Sequence, residues 1–132
     1  MNLTNPARAL IFVLAAYVVL DILLTPPAGI ETRPVSHVTG VGFVTLGLLF
    51  VGLALSIVSL VLLFRGSPRA PAVAIVAAIL FYPAVFAELT GHFSSVPPPT
   101  RIASIELVQS VVALIVIAIS LWMLRPDTTR SG

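Results

Sequence analysis

VGFVTLGLLFVGLALSIVSLVLLF, residues Val41 to Phe64, contains no charged side chain. About 30 Å of hydrocarbon crossed at 1.5 Å per residue requires roughly 20 consecutive, mostly apolar residues. This stretch exceeds that length, and a continuous helix satisfies its own backbone without water. Working outward in both directions, three more segments have similar character. Pro6 to Leu24 is apolar, with Asn5 placed to cap it and Pro6 at the first helical position, where a missing N–H costs nothing. Pro26 and Pro27 end that segment. On the other side, Arg65 to Pro71 forms a short turn, and a third segment follows from Ala72 to Thr90. So short a turn makes the second and third helices antiparallel neighbours. Gly91 to Arg101, with Pro97, Pro98 and Pro99, is a stiff connector to a fourth segment, Ile102 to Leu124, stopped by Arg125 and Pro126.

The expectation is an all-α integral membrane bundle of four transmembrane helices, about 6–24, 41–64, 72–90 and 102–124, in a single domain covering 1–132. No internal repeat is visible, and the connectors are too short for a second domain. Pro83 predicts a kink in the third helix, whose freed carbonyls a neighbouring helix or water must satisfy. Arg8 followed by an apolar run also resembles a secretory signal, but no small-x-small cleavage site follows Leu24; the residues there are Thr25, Pro26, Pro27 and Ala28. The first segment is therefore read as a retained helix.

Composition agrees. The 132 residues are 58% hydrophobic and 9% charged, with mean hydropathy +1.13, whereas soluble domains carry about 25% charge. Net charge is +2 with a pI near 9.9, yet seven basic residues scattered through apolar sequence form no basic stripe, which excludes nucleic acid as a partner. All seven are arginine, consistent with GC-rich coding. Cysteine is absent, and with it disulfides, thiolate nucleophiles and cysteine metal sites.

Arginine in short loops is retained in the cytoplasm. Arg8, Arg65, Arg69, Arg125 and Arg130 fall on one side of a four-span chain, and Arg33 and Arg101 on the other. Both termini are thus expected to be cytoplasmic, in a multi-pass plasma-membrane protein of prokaryotic inner-membrane type with the lipid bilayer as its main partner.

Asp21, Glu88 and Glu106 lie within about 6 Å of the outer ends of their segments, so they share a depth. Intramembrane carboxylates usually face a bundle interior or a wet cavity. On the fourth segment Ala103, Glu106, Ser110, Ala113, Ile117 and Ser120 form a mostly small stripe, the kind that lets helices approach. Ala70, Ala74, Ala77, Phe81, Ala84, Glu88 and Gly91 do so on the third, and Thr45, Gly52, Ser56 and Ser59 on the second. Asp21 shares a face with the larger Tyr17 and Leu14. His92 follows Glu88 by one helical turn, so a continued helix places the two together. The candidate polar cluster is Asp21, Glu88, His92 and Glu106, with Glu31 and His37 as cover and Arg33 and Arg101 as counter-ions.

Three functions fit this cluster. It organises the bundle or a partner interface, in a homo-oligomer or with another membrane subunit. Alternatively, Glu106 or Glu88 takes up a proton in exchange for a small solute. As a further alternative, His92, His37 and Glu88 are weak candidate ligands for a divalent metal in a membrane enzyme or metal-binding protein. No phosphate loop, nucleophile elbow or His-Glu-x-x-His motif is present, so the sequence implies no cofactor and points away from an enzyme. Gln109 and Ser110 are expected to bond either across helices or to their own backbone.

Overall fold

The computed structural model describes residues 5–24 and 35–125. Its helices are α1 (Asn5–Leu24), α2 (Gly40–Phe64), α3 (Ala70–Ile79), α4 (Tyr82–Leu89) and α5 (Thr100–Leu124), with one 3-10 turn at Val35–His37. Taking α3 and α4 together as Ala70–Leu89, the chain has four helical spans long and apolar enough to cross a membrane. Among the described residues the only extended pairing is an isolated antiparallel bridge between Val38 and Ser94.

Local chemistry sets the boundaries. Thr39 caps α2, its hydroxyl accepting the Gly42 N–H at 2.9 Å. At the other end Gly66 adopts φ +71°, which lets its own N–H reach the Leu63 carbonyl and that of Ser67 reach Leu62. These paired bonds close the last turn of the helix. The third span starts at Ala70, two residues before the expected position, because Pro71 fits the first turn, where a proline needs no N–H partner.

Pro83 does more than kink the third span; the helix stops at Ile79 and resumes at Tyr82. Proline supplies no N–H and its ring clashes with the carbonyl four residues back. The Phe81 amide accordingly turns to the Ala78 carbonyl, one residue short of α-helical register. The Ala77 carbonyl instead receives the Tyr17 hydroxyl from α1 at 3.1 Å. The neighbouring helix thus supplies Ala77 with the partner that the displaced Phe81 amide no longer provides.

The spans pack in a closed ring: α1 and α3 each lie against both α2 and α5. Tyr17 crosses the middle of that ring, fully buried, with its ring edge-on to Phe81 at 6.3 Å. Close approach depends on small residues. Ala70, Ala74, Ala77 and Ala113 are completely buried, and a Cβ on Gly52 would stand 3.0 Å from the Ala77 carbonyl oxygen.

The distribution of polarity is inverted relative to a soluble protein. Only 22–33% of each span is buried against the rest of the chain, while Phe12, Phe86 and Leu107 are 78%, 65% and 69% exposed. Asp21, Ser56, Ser59, Gln109 and Ser120 are fully buried. Such a molecule is matched to an apolar surround, in which cohesion comes from close packing and interhelical hydrogen bonds.

The inward face of α5 differs from the expected stripe. Ile102, Gln109, Ala113, Val116 and Ser120 are buried, Glu106, Ser110 and Ile117 are half-buried, and Ala103 is exposed. The helix is turned so that its most polar uncharged side chain, Gln109, enters the core. On α2 the expected inward residues Thr45, Gly52, Ser56 and Ser59 are buried, and on the third span Ala70, Ala74, Ala77, Phe81 and Ala84 are buried while Glu88 is half-buried and Gly91 exposed.

Candidate functional site

Asp21 and Gln109 meet in the core between α1 and α5. Both are fully buried. Gln109 Nε2 donates to Asp21 Oδ1 at 2.5 Å and to the Tyr17 carbonyl at 3.1 Å, so one amide ties two points of α1, one helical turn apart. The Gln109 side-chain oxygen is buried without a hydrogen-bond partner among the described residues. A carboxylate paired in an apolar bundle is a strong constraint, because the alternative is an uncompensated polar group away from water.

One turn toward the end of the bundle from this pair, Leu24 and Glu106 border a cavity of about 20 Å³, which Leu46, Leu49, Phe81, Ala84, Glu88, Phe93 and Ile102 complete. Glu88 and Glu106, both half-buried, thus reach one cleft from two helices. A volume of this size accommodates a single water molecule. Glu88 and Glu106 stand in the wall of the cleft, and Asp21 is not among its lining residues.

His92 takes a different position. α4 ends at Leu89, and Gly91 at φ +73° reverses the chain so that the His92 and Gly91 amides bond the Ala87 and Glu88 carbonyls. The helix that would have carried His92 onto the face of Glu88 is not continued. Its exposed ring bonds the Thr90 hydroxyl instead, Nδ1 to Oγ1 at 2.8 Å. Thr90 spends its own proton on the Phe86 carbonyl, so His92 Nδ1 is the donor there.

His37 also lies on the exterior, its Nδ1 3.0 Å from Ser95 Oγ. It belongs to a clasp between the connectors flanking α2 and α5. The Ser95 amide bonds the His37 carbonyl, the Thr39 amide bonds the Phe93 carbonyl at 2.9 Å, and the Thr39 hydroxyl reaches the carbonyls of His92 and Phe93. Gly42 makes the clasp possible: any Cβ there would collide with the Phe93 carbonyl and the Val38 side chain. Among the described residues no three His, Asp or Glu side chains are grouped so as to hold a metal ion. Arg101 is exposed in the first turn of α5, and Glu31 and Arg33 lie outside the described residues.

Further bonds fix helix to helix away from the cleft. Ser59 donates to the Ala70 carbonyl at 2.8 Å and Tyr82 to the Ser110 carbonyl at 3.0 Å. Ser110 itself bonds back to Glu106 within α5. Of the two expectations for Gln109 it is the bond across helices that forms, while the small-residue stripe read from the sequence leaves Gln109 off the inward face. Steps of four and three from Ile102, through 106, 109, 113, 116 and 120, would have found it.

Comparison with curated proteins and with solved structures finds no match. A family model does match, over residues 6–132, nearly the whole chain. Its description is "Domain of unknown function (DUF8051)", and the chain belongs to that family.

Proposed function

We propose that this chain is a multi-pass plasma-membrane protein with both termini cytoplasmic, whose carboxylate end organises the bundle and presents an interface to a partner membrane subunit or a second copy. The observation that carries this reading is the buried Asp21–Gln109 bond, with the second Gln109 bond to Tyr17 beside it. Polar contacts of this kind hold helices together where lipid offers no hydrophobic drive. The arginine distribution supports the orientation.

Two measurements test it. The chain has no cysteine, so Ser67→Cys and Ser95→Cys each provide a unique label. An impermeant maleimide applied to intact cells should modify the position-95 variant and spare the position-67 variant; the reverse pattern overturns the orientation. In detergent, Gln109→Leu should lower thermal stability more than Glu106→Gln or Glu88→Gln. Unchanged stability in Gln109→Leu removes the organising role.

A second reading, proton-linked exchange of a small solute, is favoured by one feature: Glu88 and Glu106 reach the same cleft from α4 and α5. The cleft has room for one water molecule, so a solute requires the helices to part. Proteoliposome flux abolished by Glu106→Gln with the fold intact would establish this reading, and equal flux in that variant would end it.

A further inference from the structure

We propose that the end of the bundle opposite the carboxylates is a binding surface for anionic phospholipid headgroups, formed by Arg8, Arg65, Arg69 and Arg125. The proposal rests on the membrane-spanning reading given above. All four side chains are exposed. Arg65 closes α2 and Arg69 precedes α3, so one tight turn carries a guanidinium at each edge. Arg8 lies in the opening turns of α1 and Arg125 ends α5, and these two helices are packed side by side. The arginines therefore form two pairs on opposite flanks of one rim.

Among the described residues their electrostatic environment is one-sided, and by sequence the arginine end carries one acidic residue, Asp127, against Arg8, Arg65, Arg69, Arg125 and Arg130. The described acidic residues, Asp21, Glu88 and Glu106, all belong to the other end, and among the described residues none of the four arginines forms an ion pair. Guanidinium groups match phosphate geometry through paired N–H donors. Trp122, 55% exposed and one turn before Arg125, occupies the depth at which an indole lies among headgroups. A headgroup phosphate attached to acyl chains satisfies both features at once, since the chains lie along the apolar flanks of α2 and α5. Free inorganic phosphate satisfies only the charge.

The test uses the full chain in detergent, with bound dioleoylphosphatidylglycerol and dioleoylphosphatidylcholine counted by native mass spectrometry. The anionic lipid should bind more tightly. Arg65→Gln and Arg69→Gln should each weaken it about fivefold, with the zwitterionic lipid unaffected. Arg101→Gln, at the opposite end, should change neither. Equal binding of the two lipids, an unchanged affinity in the Arg65→Gln/Arg69→Gln double variant, or full displacement by inorganic phosphate would each overturn the proposal. Should the variants not fold, the wild-type preference and its loss at high salt decide the matter alone. Maleimide labelling of the position-67 and position-95 variants separates the two levels. Labelling on opposite membrane faces with no lipid preference refutes this proposal only, whereas failure to fractionate with membranes refutes the reading beneath it.

Discussion

Gln109 bridges Asp21 and the Tyr17 carbonyl with a single side-chain nitrogen, at 2.5 and 3.1 Å, and so fixes the last helix against the first. Interhelical hydrogen bonds in membrane proteins contribute about 1 kcal/mol, and leaving a buried polar group without its donor costs about 1–3 kcal/mol. Gln109→Leu should therefore destabilise the bundle by about 1–3 kcal/mol, measured by thermal or denaturant unfolding in detergent. Combined with Asp21→Asn in a double-mutant cycle, the two changes should be non-additive by about 0.5–2 kcal/mol. Strict additivity would mean the contact carries no energy.

The broken third span yields a second coupling. Tyr17→Phe removes the donor to the Ala77 carbonyl and should cost about 0.5–1.5 kcal/mol. In a Pro83→Ala background the helix can rejoin, and Ala77 regains an amide partner within its own helix. There the Tyr17→Phe penalty should shrink toward zero, and an undiminished penalty would show that the hydroxyl acts elsewhere.

Glycine substitutions should separate contact from open space. Gly42→Ala forces the Phe93 carbonyl away and is expected to cost about 1–3 kcal/mol or more. Gly47 has nothing within 4 Å of an added Cβ, so Gly47→Ala should fall within about 0.5 kcal/mol of wild type. Melting temperatures of the two variants in the same detergent check the contrast.

Thr39 serves the clasp and the α2 cap with one hydroxyl. Thr39→Val should lose both, at about 1–2 kcal/mol, and should also raise hydrogen exchange at the Gly42 amide. Thr39→Ser, which keeps the hydroxyl, should restore most of the loss.

Much of this arrangement is legible in the sequence. Apolar length and proline punctuation place all four spans to within two residues, because a span must be long, apolar and ended by something that cannot continue it. The inward faces of α2 and α3 follow from alanine, glycine and serine at helical steps. Two misreadings have local physical causes. His92 leaves the face of Glu88 because Gly91 offers a left-handed cap that ends the helix. The stripe on α5 is misaligned because small side chains occur on more than one face, and Asp21 draws Gln109 inward across the interface. That pairing joins residues 88 positions apart, and no periodicity within one helix reveals it.

Neither α3 nor α4 alone is long enough to cross hydrocarbon: ten and eight residues reach about 15 and 12 Å at 1.5 Å per residue. In the membrane-spanning reading the break between them lies at membrane depth, where an unsatisfied backbone group costs several kcal/mol. Tyr17 precedes Ala77 by 60 residues. During synthesis from the N-terminus, Tyr17 is made before the interrupted helix. The order of the chain thus matches the order in which its parts need one another, and an α1 supplied late, or lacking Tyr17, would leave the third span to enter the membrane with its gap unfilled.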